Sequence, residues 1–479
     1  MQRIADLRYA SDLLQWDQET YLPSKGASFR GQQIATLSEL SHEMFVEESL
    51  GNLLEDLMAS NDLSFEEKRN VELTLEDHRR ERKLPTSFVR KLTETVNRSF
   101  HSWIEARKQN DFNFFKNDLQ ELVDLKLQEA EYIGYEQHPY DALITDYDRG
   151  ASVQLIDKIF SDLSGPLKLV LDRCLNASQV DDAFLKQHFD RDVQWKFGLH
   201  LLRDLHFDFD AGRQDVSEHP FTTSFNALDV RVTTRIDEND FSNMTWSCIH
   251  ELGHALYEQG LPASAYGLPL GQSASLTIHE SQSRLWENHI GRSRSFCEKY
   301  LPLLKNYFPG LLDQVHSNEF YRAINKVSPS LIRTEADEVT YHFHVMIRYE
   351  LEKKLLERQI NSSDIPAFWN EQYKTLLGVD VPNDKEGCLQ DVHWSHGSFG
   401  YFPTYSLGSL YAAQFFAHAS IAMRDELDTA SLLTWLRQNI HQKGRLYLNE
   451  ELCQQATGET LQTGYFMNYL EKKYSGIYA

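Results

Sequence analysis

The chain lacks the features of secreted and membrane-spanning proteins. Its five cysteines are scattered over 479 residues without a C-x-x-C pair, which argues against a disulfide framework and against an all-cysteine zinc site. No segment approaches the roughly eighteen uninterrupted apolar residues of a transmembrane helix, and the beginning, "MQRIADLRYASDLLQWDQETYLP", has no apolar core for a signal peptide. These absences predict a cytoplasmic protein that does not bind membranes.

Positive charge is also scarce. The 48 lysines and arginines face 71 aspartates and glutamates, so the formal net charge is −23, and no basic block interrupts this excess. A field of this sign repels nucleic acids and anionic membrane surfaces. We therefore expect neither as a partner.

Most of the chain carries the periodicity of amphipathic helices. In "LPTSFVRKLTETVNRSFHSW" (84–103), for example, apolar residues recur at steps of three and four. The segment "ALDVRVTTRID" (227–237) differs, because its residues alternate as they do in a strand with one polar face. The sequence therefore predicts a mainly α-helical protein with a small β-sheet.

The stretch "CIHELGHALYEQG" (248–260), which follows the predicted strand, has the spacing of a metal site. His250 and His254 are four residues apart, so on a helix they point in the same direction. Ser242 or Asn243 is expected to cap this helix. The alternative is a pair of core histidines that bind no metal.

A catalytic zinc site needs a third protein ligand. A third histidine on the same helix is excluded, because the chain has Gly260 where the metzincin pattern requires histidine. The second helical segment, "SLTIHESQSRLWENHIG" (275–291), offers His279, Glu280 and Glu287. Adjacent residues of a helix diverge by about 100°, so the first two cannot both face the metal. Periodicity leaves this choice open.

Several short motifs, taken in their order along the chain, resemble the signature motifs of the M32 metallocarboxypeptidases, the carboxypeptidase Taq family. They are "HPF" (219–221), "DVRVT" (229–233), "HELGH" (250–254), "HESQ" (279–282), "IRTEAD" (332–337) and "GCLQDVHW" (387–394). Two further stretches resemble that family, "LLQWDQETYLP" (13–23) and "FGYFPTYSLG" (399–408). The resemblance therefore extends over nearly the whole chain.

The resemblance implies a fold and an activity. The expected fold is mainly α and zincin-like (gluzincin), with residues 1–479 in a single domain whose two helical halves flank a long central groove. The expected activity is that of a metallocarboxypeptidase, which hydrolyses the C-terminal peptide bond of peptides with broad tolerance of side chains. A homodimer is implied as well.

The resemblance also implies the metal ligands. His250, His254 and Glu280 are expected to bind Zn²⁺, in whose place Co²⁺ or Mn²⁺ is accepted by the same ligand types. Glu251 is expected to take a proton from water as general base and to pass it to the leaving amine. His279 then lies outside the ligand set.

Two arginines are candidates for binding the terminal carboxylate of a substrate, because a guanidinium group can hold a carboxylate with two hydrogen bonds. Arg231 shares the polar strand face with Asp229, and the resemblance places this pair at the closed end of the groove. Arg333 stands four residues before Asp337. The alternative for each arginine is an ion pair with that aspartate and no role in binding.

The other candidates come from the remaining motifs. His219, Gln390 and Asp391 are expected to line the substrate groove. His393 and Tyr405 are expected to donate hydrogen bonds to the oxyanion that forms during hydrolysis.

Other functions were weighed against a carboxypeptidase. An aminopeptidase of this class would carry a Gly-x-Met-Glu-Asn box, which the sequence lacks. An oligoendopeptidase that uses the same metal site, and a helical scaffold in which the histidines are structural, remain as alternatives.

Overall fold

The computed structural model describes residues 1–425 and 427–478, and this part of the chain is mainly α-helical. The helices are Gln2–Thr20 (α1), Ala27–Phe45 (α2), Glu48–Met58 (α3), Phe65–Glu81 (α4), Thr86–Gln109 (α5), Lys116–Ile133 (α6), Pro139–Ile144 (α7), Val153–Asn176 (α8), Arg191–Asp204 (α9), Phe241–Glu258 (α10), Leu276–Arg284 (α11), Arg294–Tyr307 (α12), Ser317–Ile324 (α13), Tyr341–Leu356 (α14), Ile365–Gln372 (α15), Pro403–Ala419 (α16), Thr429–Asn439 (α17), Asn449–Thr457 (α18) and Thr463–Ile477 (α19). The strands are Gly212–Val216 (β1), Thr222–Asn226 (β2) and Asp229–Thr234 (β3). The predicted mainly α fold with a small sheet is confirmed.

The helices and strands belong to two compact units. The first is formed by residues 1–81, 180–324 and 408–462, and the second by residues 82–179, 325–407 and 463–479. The first unit contains the sheet and both helices of the predicted metal site. A single domain with a groove between two helical halves stays a prediction. Among the described helices, none is both long and apolar enough to span a bilayer.

The three-stranded sheet leads the chain directly into the histidine helix. Strand β3 lies in the centre, parallel to β1 and antiparallel to β2. Val230 and Val232 are buried on one face of β3, while Asp229 and Arg231 lie on the other face, as the alternation predicts. A short turn then joins β3 to α10.

Helix α10 begins earlier than expected. Its N-cap is Asp240, whose carboxylate accepts a hydrogen bond from the backbone N–H of Ser242 at 2.9 Å. The predicted cap at Ser242 or Asn243 is wrong, because an aspartate preceded by a turn already satisfies the first free N–H groups of the helix.

Helices α10 and α11 touch backbone to backbone at Gly253. A Cβ atom at this position would lie 2.5 Å from the carbonyl oxygen of Gln282 and 2.6 Å from the Cα atom of Ser283. Helix α16 passes Glu280 in a similar way at Gly408, where a Cβ atom would lie 2.8 Å from the Cβ and Cγ atoms of that glutamate. The two glycines thus allow three helices to meet around the side chain of Glu280.

In the second unit, a buried carboxylate on α14 holds an irregular loop. Glu352 is fully buried and accepts hydrogen bonds from the indole N–H of Trp394 at 2.7 Å, from the backbone N–H of Gly400 at 3.0 Å and from the hydroxyl of Tyr140. Burial raises the pKa of Glu352 to about 7, although each of these hydrogen bonds favours the ionised form.

The helix crossing predicts the effect of one added methyl group. We expect Gly253→Ala to lower the free energy of unfolding by about 1–3 kcal/mol, because backbone atoms of α11 must move to accept the methyl group. Gly31→Ala is the matched control, since a Cβ atom there meets no heavy atom within 4 Å; we expect it to raise the stability by about 0.5–1 kcal/mol. Urea denaturation of both variants checks this, and equal stabilities would contradict the crossing as described.

The raised pKa of Glu352 predicts a dependence of stability on pH. The folded state binds this proton more tightly than the unfolded state, in which the pKa is near 4.5, so the contribution is complete below pH 4.5 and is lost as the pH rises through about 7. In the wild type, the free energy of unfolding should fall by about 3 kcal/mol between pH 4.5 and pH 7 because of this group. We expect Glu352→Gln to abolish this fall. Urea denaturation across this range measures it. Glu350→Gln, on the same helix, should keep the wild-type dependence, and a wild-type dependence in Glu352→Gln would refute the argument.

Candidate active site

Three side chains of the first unit converge as a metal site requires. The Oε2 atom of Glu280 lies 3.6 Å from Nε2 of His250 and 3.5 Å from Nε2 of His254. All three ligand atoms lie within 4.8 Å of one another. Bonds of 2.0–2.2 Å to a tetrahedral metal place neighbouring ligand atoms about 3.3–3.6 Å apart, so the two measured distances fit such a metal.

The structure also distinguishes Glu280 from its neighbour His279, between which helical periodicity left the choice of ligand open. Glu280 faces the two histidines, whereas His279 lies behind His254, with 2.6 Å between their Nδ1 atoms. The other ring nitrogen of His279 lies 2.8 Å from Oε1 of Glu258. His279 therefore contacts a ligand candidate from the side opposite the convergent atoms.

Glu287, two helical turns after Glu280, reaches the back of His250. Its Oε2 atom lies 3.0 Å from Nδ1 of His250, and its Oε1 atom accepts a hydrogen bond from Arg292 at 2.9 Å. Burial opposes ionisation of Glu287, but the hydrogen bond from His250 and the charges of Arg292 and Arg284 outweigh it and hold the pKa well below its usual range. Glu287 thus orients a ligand candidate and is not one of the convergent groups.

Arg284 binds the oxygen of Glu280 that does not face the histidines. Its Nε atom donates to Oε1 of Glu280 at 2.6 Å, and the hydroxyl of Ser283 donates to Oε2 at 3.0 Å. Sequence reasoning left Arg284 without a role, although its i,i+4 spacing from Glu280 was a usable signal. The arginine fixes the carboxylate with one oxygen directed at the histidines.

Glu251 is buried beside this cluster and is held by a residue that the sequence analysis missed. The hydroxyl of Thr222, at the start of β2, donates to Oε2 of Glu251 at 2.6 Å. Burial raises the pKa of Glu251 above its ordinary value, against the opposing effects of His250 and Thr222. Burial lowers the pKa of His254 well below its ordinary value, and the neighbouring His279 adds to this. Thr222 follows the "HPF" motif directly, but nothing in that motif predicts its partner.

The remaining candidates of the first unit lie on or beside the sheet. Arg231 forms two hydrogen bonds of 3.0 Å with Asp229, and the rings of Trp16 and Phe225 lie 4.4 Å and 5.0 Å from its guanidinium carbon. The ion pair between Arg231 and Asp229 is therefore present, as the alternative interpretation predicts. His219 is exposed, and its carbonyl oxygen accepts a hydrogen bond from Ser217.

In the second unit, Arg333 and Asp391 form a buried network with Arg348. Arg333 donates through Nε and a terminal nitrogen to Oδ1 of Asp391 at 3.1 Å and 3.0 Å, and Arg348 donates through Nε to Oδ2 at 2.7 Å. The side-chain oxygen of Gln390 accepts from the backbone N–H of Arg333 at 3.0 Å and from Arg348 at 2.8 Å. Burial opposes ionisation of Asp391, but the two arginines hold its pKa well below its usual range.

One alternative for Arg333 is wrong. Arg333 does not open a helix with Asp337 on its next turn, because Arg333–Glu335 is a separate 3₁₀ turn and α14 begins only at Tyr341. Asp337 instead accepts hydrogen bonds from the backbone and hydroxyl of Thr340 at 3.0 Å and 2.7 Å. The partner of Arg333 is 58 residues away along the chain, beyond the reach of helical spacing.

His393 and Tyr405 lie beside the same network. The Tyr405 hydroxyl is 3.4 Å from Nε2 of His393, and the guanidinium carbon of Arg333 lies 4.8 Å from the centre of the Tyr405 ring. Burial, together with the charge of Arg333, lowers the pKa of His393 to about 3. His393 is therefore a neutral imidazole at physiological pH.

The chain is similar to known peptidases over nearly all of its length. Residues 1–474 match the family described as carboxypeptidase Taq (M32) metallopeptidase. Carboxypeptidase 1 of Bacillus subtilis is 36% identical over 487 residues, which cover 100% of this chain and 97% of that protein. The solved structure of a protein called CHT is 55% identical, with a TM-score of 0.97, and the match covers 99% of this chain and 97% of that one.

A second solved structure, the M32 carboxypeptidase of Deinococcus radiodurans R1, is 39% identical, with a TM-score of 0.97 and coverage of 100% of this chain and 97% of that one. The predicted zincin-like architecture is confirmed by these likenesses, since such TM-scores leave no large element unmatched. The chain therefore belongs to the carboxypeptidase Taq (M32) family of metallopeptidases, and it is a peptide hydrolase whose family implies a divalent metal.

Proposed function

We propose that the protein is a zinc-dependent carboxypeptidase that releases residues from the C-terminus of peptides with broad tolerance of side chains. The observation that carries the proposal is the spacing of His250, His254 and Glu280, which fits a tetrahedral metal, with Glu251 buried beside them. Two imidazoles and one carboxylate are the ligand set of many catalytic zinc sites. Cobalt or manganese is accepted by the same donors.

The proposed chemistry assigns the proton transfers to Glu251. His250, His254 and Glu280 would hold the divalent metal, and the chemistry that it would supply when bound is a lowered pKa of water and a polarised scissile carbonyl group. The Glu251 carboxylate accepts a proton from the attacking water and donates it to the amine nitrogen as the C–N bond breaks. Thr222 holds Oε2 of Glu251, which leaves Oε1 to exchange the proton.

We further propose that Arg333 binds the terminal carboxylate of the substrate. Two guanidinium groups, of Arg333 and Arg348, share the single carboxylate of Asp391, so their network carries excess positive charge. Arg231, in contrast, is matched one to one by Asp229. A second carboxylate would balance the first network, and arginine can bind it with two hydrogen bonds.

Other residues complete the proposal. Gln390 and Asp391 orient the arginines, and neutral His393 and Tyr405 donate hydrogen bonds to the developing oxyanion. His219, Asp229 and Arg231 bind the substrate, as the family resemblance implies. A homodimer and the groove itself rest on the family resemblance, whereas a cytoplasmic location rests on the scattered cysteines without a C-x-x-C pair. The charge of −23 further supports peptides, and not nucleic acids or membranes, as partners.

One digestion experiment tests the reaction, its direction and its metal. We expect a peptide with a free C-terminus to shorten one residue at a time in mass spectra, and the ladder to disappear with a chelator and return with Zn²⁺ or Co²⁺. Glu251→Gln should keep the metal and lose activity by at least about 100-fold. The same peptide with an amidated C-terminus should stay intact; its cleavage at internal bonds would establish the oligoendopeptidase alternative.

The contact between Thr222 and Glu251 predicts a selective loss of turnover. We expect Thr222→Val to lower kcat by roughly 10–100-fold, since a hydrogen bond to a charged group contributes about 1.5–3 kcal/mol, while KM and metal content stay unchanged. Thr222→Ser keeps the hydroxyl and should stay near wild type. Thr223→Val is the control, because its side chain points to the opposite face of β2. Steady-state kinetics decide, and a wild-type kcat in Thr222→Val would exclude this role.

A further inference from the structure

Behind the ligand candidate His254 lies a chain of two polar side chains. His279 on α11 lies between His254 and Glu258, which is the last residue of α10. The Nδ1 atoms of the two histidines are 2.6 Å apart, and Nε2 of His279 is 2.8 Å from Oε1 of Glu258. All three side chains are largely shielded from solvent, with exposed fractions of 15–16%.

The two rings are nearly parallel, and their facing nitrogens are close enough for a hydrogen bond. Their planes differ by 25° and their centres are 4.5 Å apart. Face-to-face rings keep their atoms about 3.5 Å apart or more, so a separation of 2.6 Å between nitrogens excludes stacking. The distance of 2.6 Å between the Nδ1 atoms is that of a hydrogen bond, in which an N–H of one ring donates to the lone pair on the nitrogen of the other.

The positions of the hydrogen atoms between His254, His279 and Glu258 follow from the carboxylate of Glu258. An ionised carboxylate only accepts hydrogen bonds, so Nε2 of His279 must carry a hydrogen towards Glu258. In a neutral imidazole the other nitrogen, Nδ1, is then an acceptor. His254 must therefore donate from its own Nδ1, and its Nε2 keeps a lone pair. This is the nitrogen that lies 3.5 Å from Glu280, on the side of the metal site.

The other histidine ligand candidate, His250, has its Nδ1 hydrogen fixed by a carboxylate without an intervening residue. Nδ1 of His250 lies 3.0 Å from a carboxylate oxygen of Glu287, which fixes its hydrogen directly. A hydrogen bond from the distal nitrogen to a carboxylate orients many metal-binding histidines and strengthens their binding. A carboxylate thus orients each of the two histidines. Glu287 contacts His250 directly, whereas His279 lies between His254 and Glu258.

We propose that Glu258 is a positioning residue that acts through His279 to hold His254 in the tautomer whose Nε2 faces the metal. The inference rests on the metal site of the proposed function. In this proposal, His279 is the bridge: it donates a hydrogen bond to Glu258 and therefore accepts one from His254. A mere ion pair between the two helices would instead contribute to folding alone and leave metal affinity unchanged.

The test is a titration of the metal-free full chain with Zn²⁺, followed by calorimetry or by competition with a chromogenic chelator. We expect Glu258→Leu, which removes the acceptor, to weaken zinc binding by about 10–100-fold. Glu258→Gln keeps an acceptor oxygen and should stay within a few-fold of wild type. Thermal unfolding of the metal-free variants shows whether each folds as the wild type does.

A double variant tests whether Glu258 acts through its neighbour. If it does, the double variant His279→Ala with Glu258→Leu binds zinc no more weakly than His279→Ala alone. Additive losses would refute the bridge, and so would wild-type affinity in Glu258→Leu, or an equal loss of affinity in the Gln and Leu variants.

Glu280→Ala separates this inference from the proposed site. If Glu280→Ala loses zinc and Glu258→Leu does not, the ligand set stands and only the inference fails. If His279→Ala loses zinc as completely as His254→Ala while Glu280→Ala retains it, His279 is itself a ligand, and both the ligand set and the inference fail.

Discussion

The crossing of α10 and α11 at Gly253 is the contact on which the proposed metal site depends. Because no side chain separates the helices there, the carbonyl oxygen of Gln282 and the helix that carries the histidines come into direct contact. A carboxylate side chain is short, so Glu280 spans the remaining distance only from a helix this close. Gly253 therefore allows the approach of the helices that brings Glu280 to 3.5–3.6 Å from the two histidines, a separation that fits the proposed metal ion.

Charge is arranged differently around the two groups of candidate residues. In the first unit, Arg284 holds one oxygen of Glu280 and leaves the other directed at the histidines. In the second unit, Arg333 and Arg348 converge on one carboxylate. Buried charges persist only when they are paired and hydrogen-bonded, which both arrangements satisfy. The first arrangement fits the cation that we propose for Glu280, and the second fits the substrate carboxylate that we propose for Arg333.

The sequence allowed the helices, the strand at 229–234 and the two histidines to be predicted, because these depend on periodicity within one segment. The sequence could not predict which face of α11 packs towards α10. The choice between His279 and Glu280 depends on this packing, and so does the pairing of Thr222 with Glu251. The alternative ion pair of Arg333 with Asp337 was wrong for the same reason, since the partner of Arg333 comes from a distant segment. Family resemblance supplied the choice of Glu280 without the geometry behind it.

The division of each unit among three chain segments bears on how the protein is made. Gly408, which lies against Glu280, follows it by about 130 residues. At about 5–20 residues per second, a ribosome adds this stretch in roughly 6–25 s. Helices α10 and α11 therefore leave the ribosome well before the helix that later packs against their carboxylate. During that interval Glu280 lacks the neighbour that Gly408 later provides.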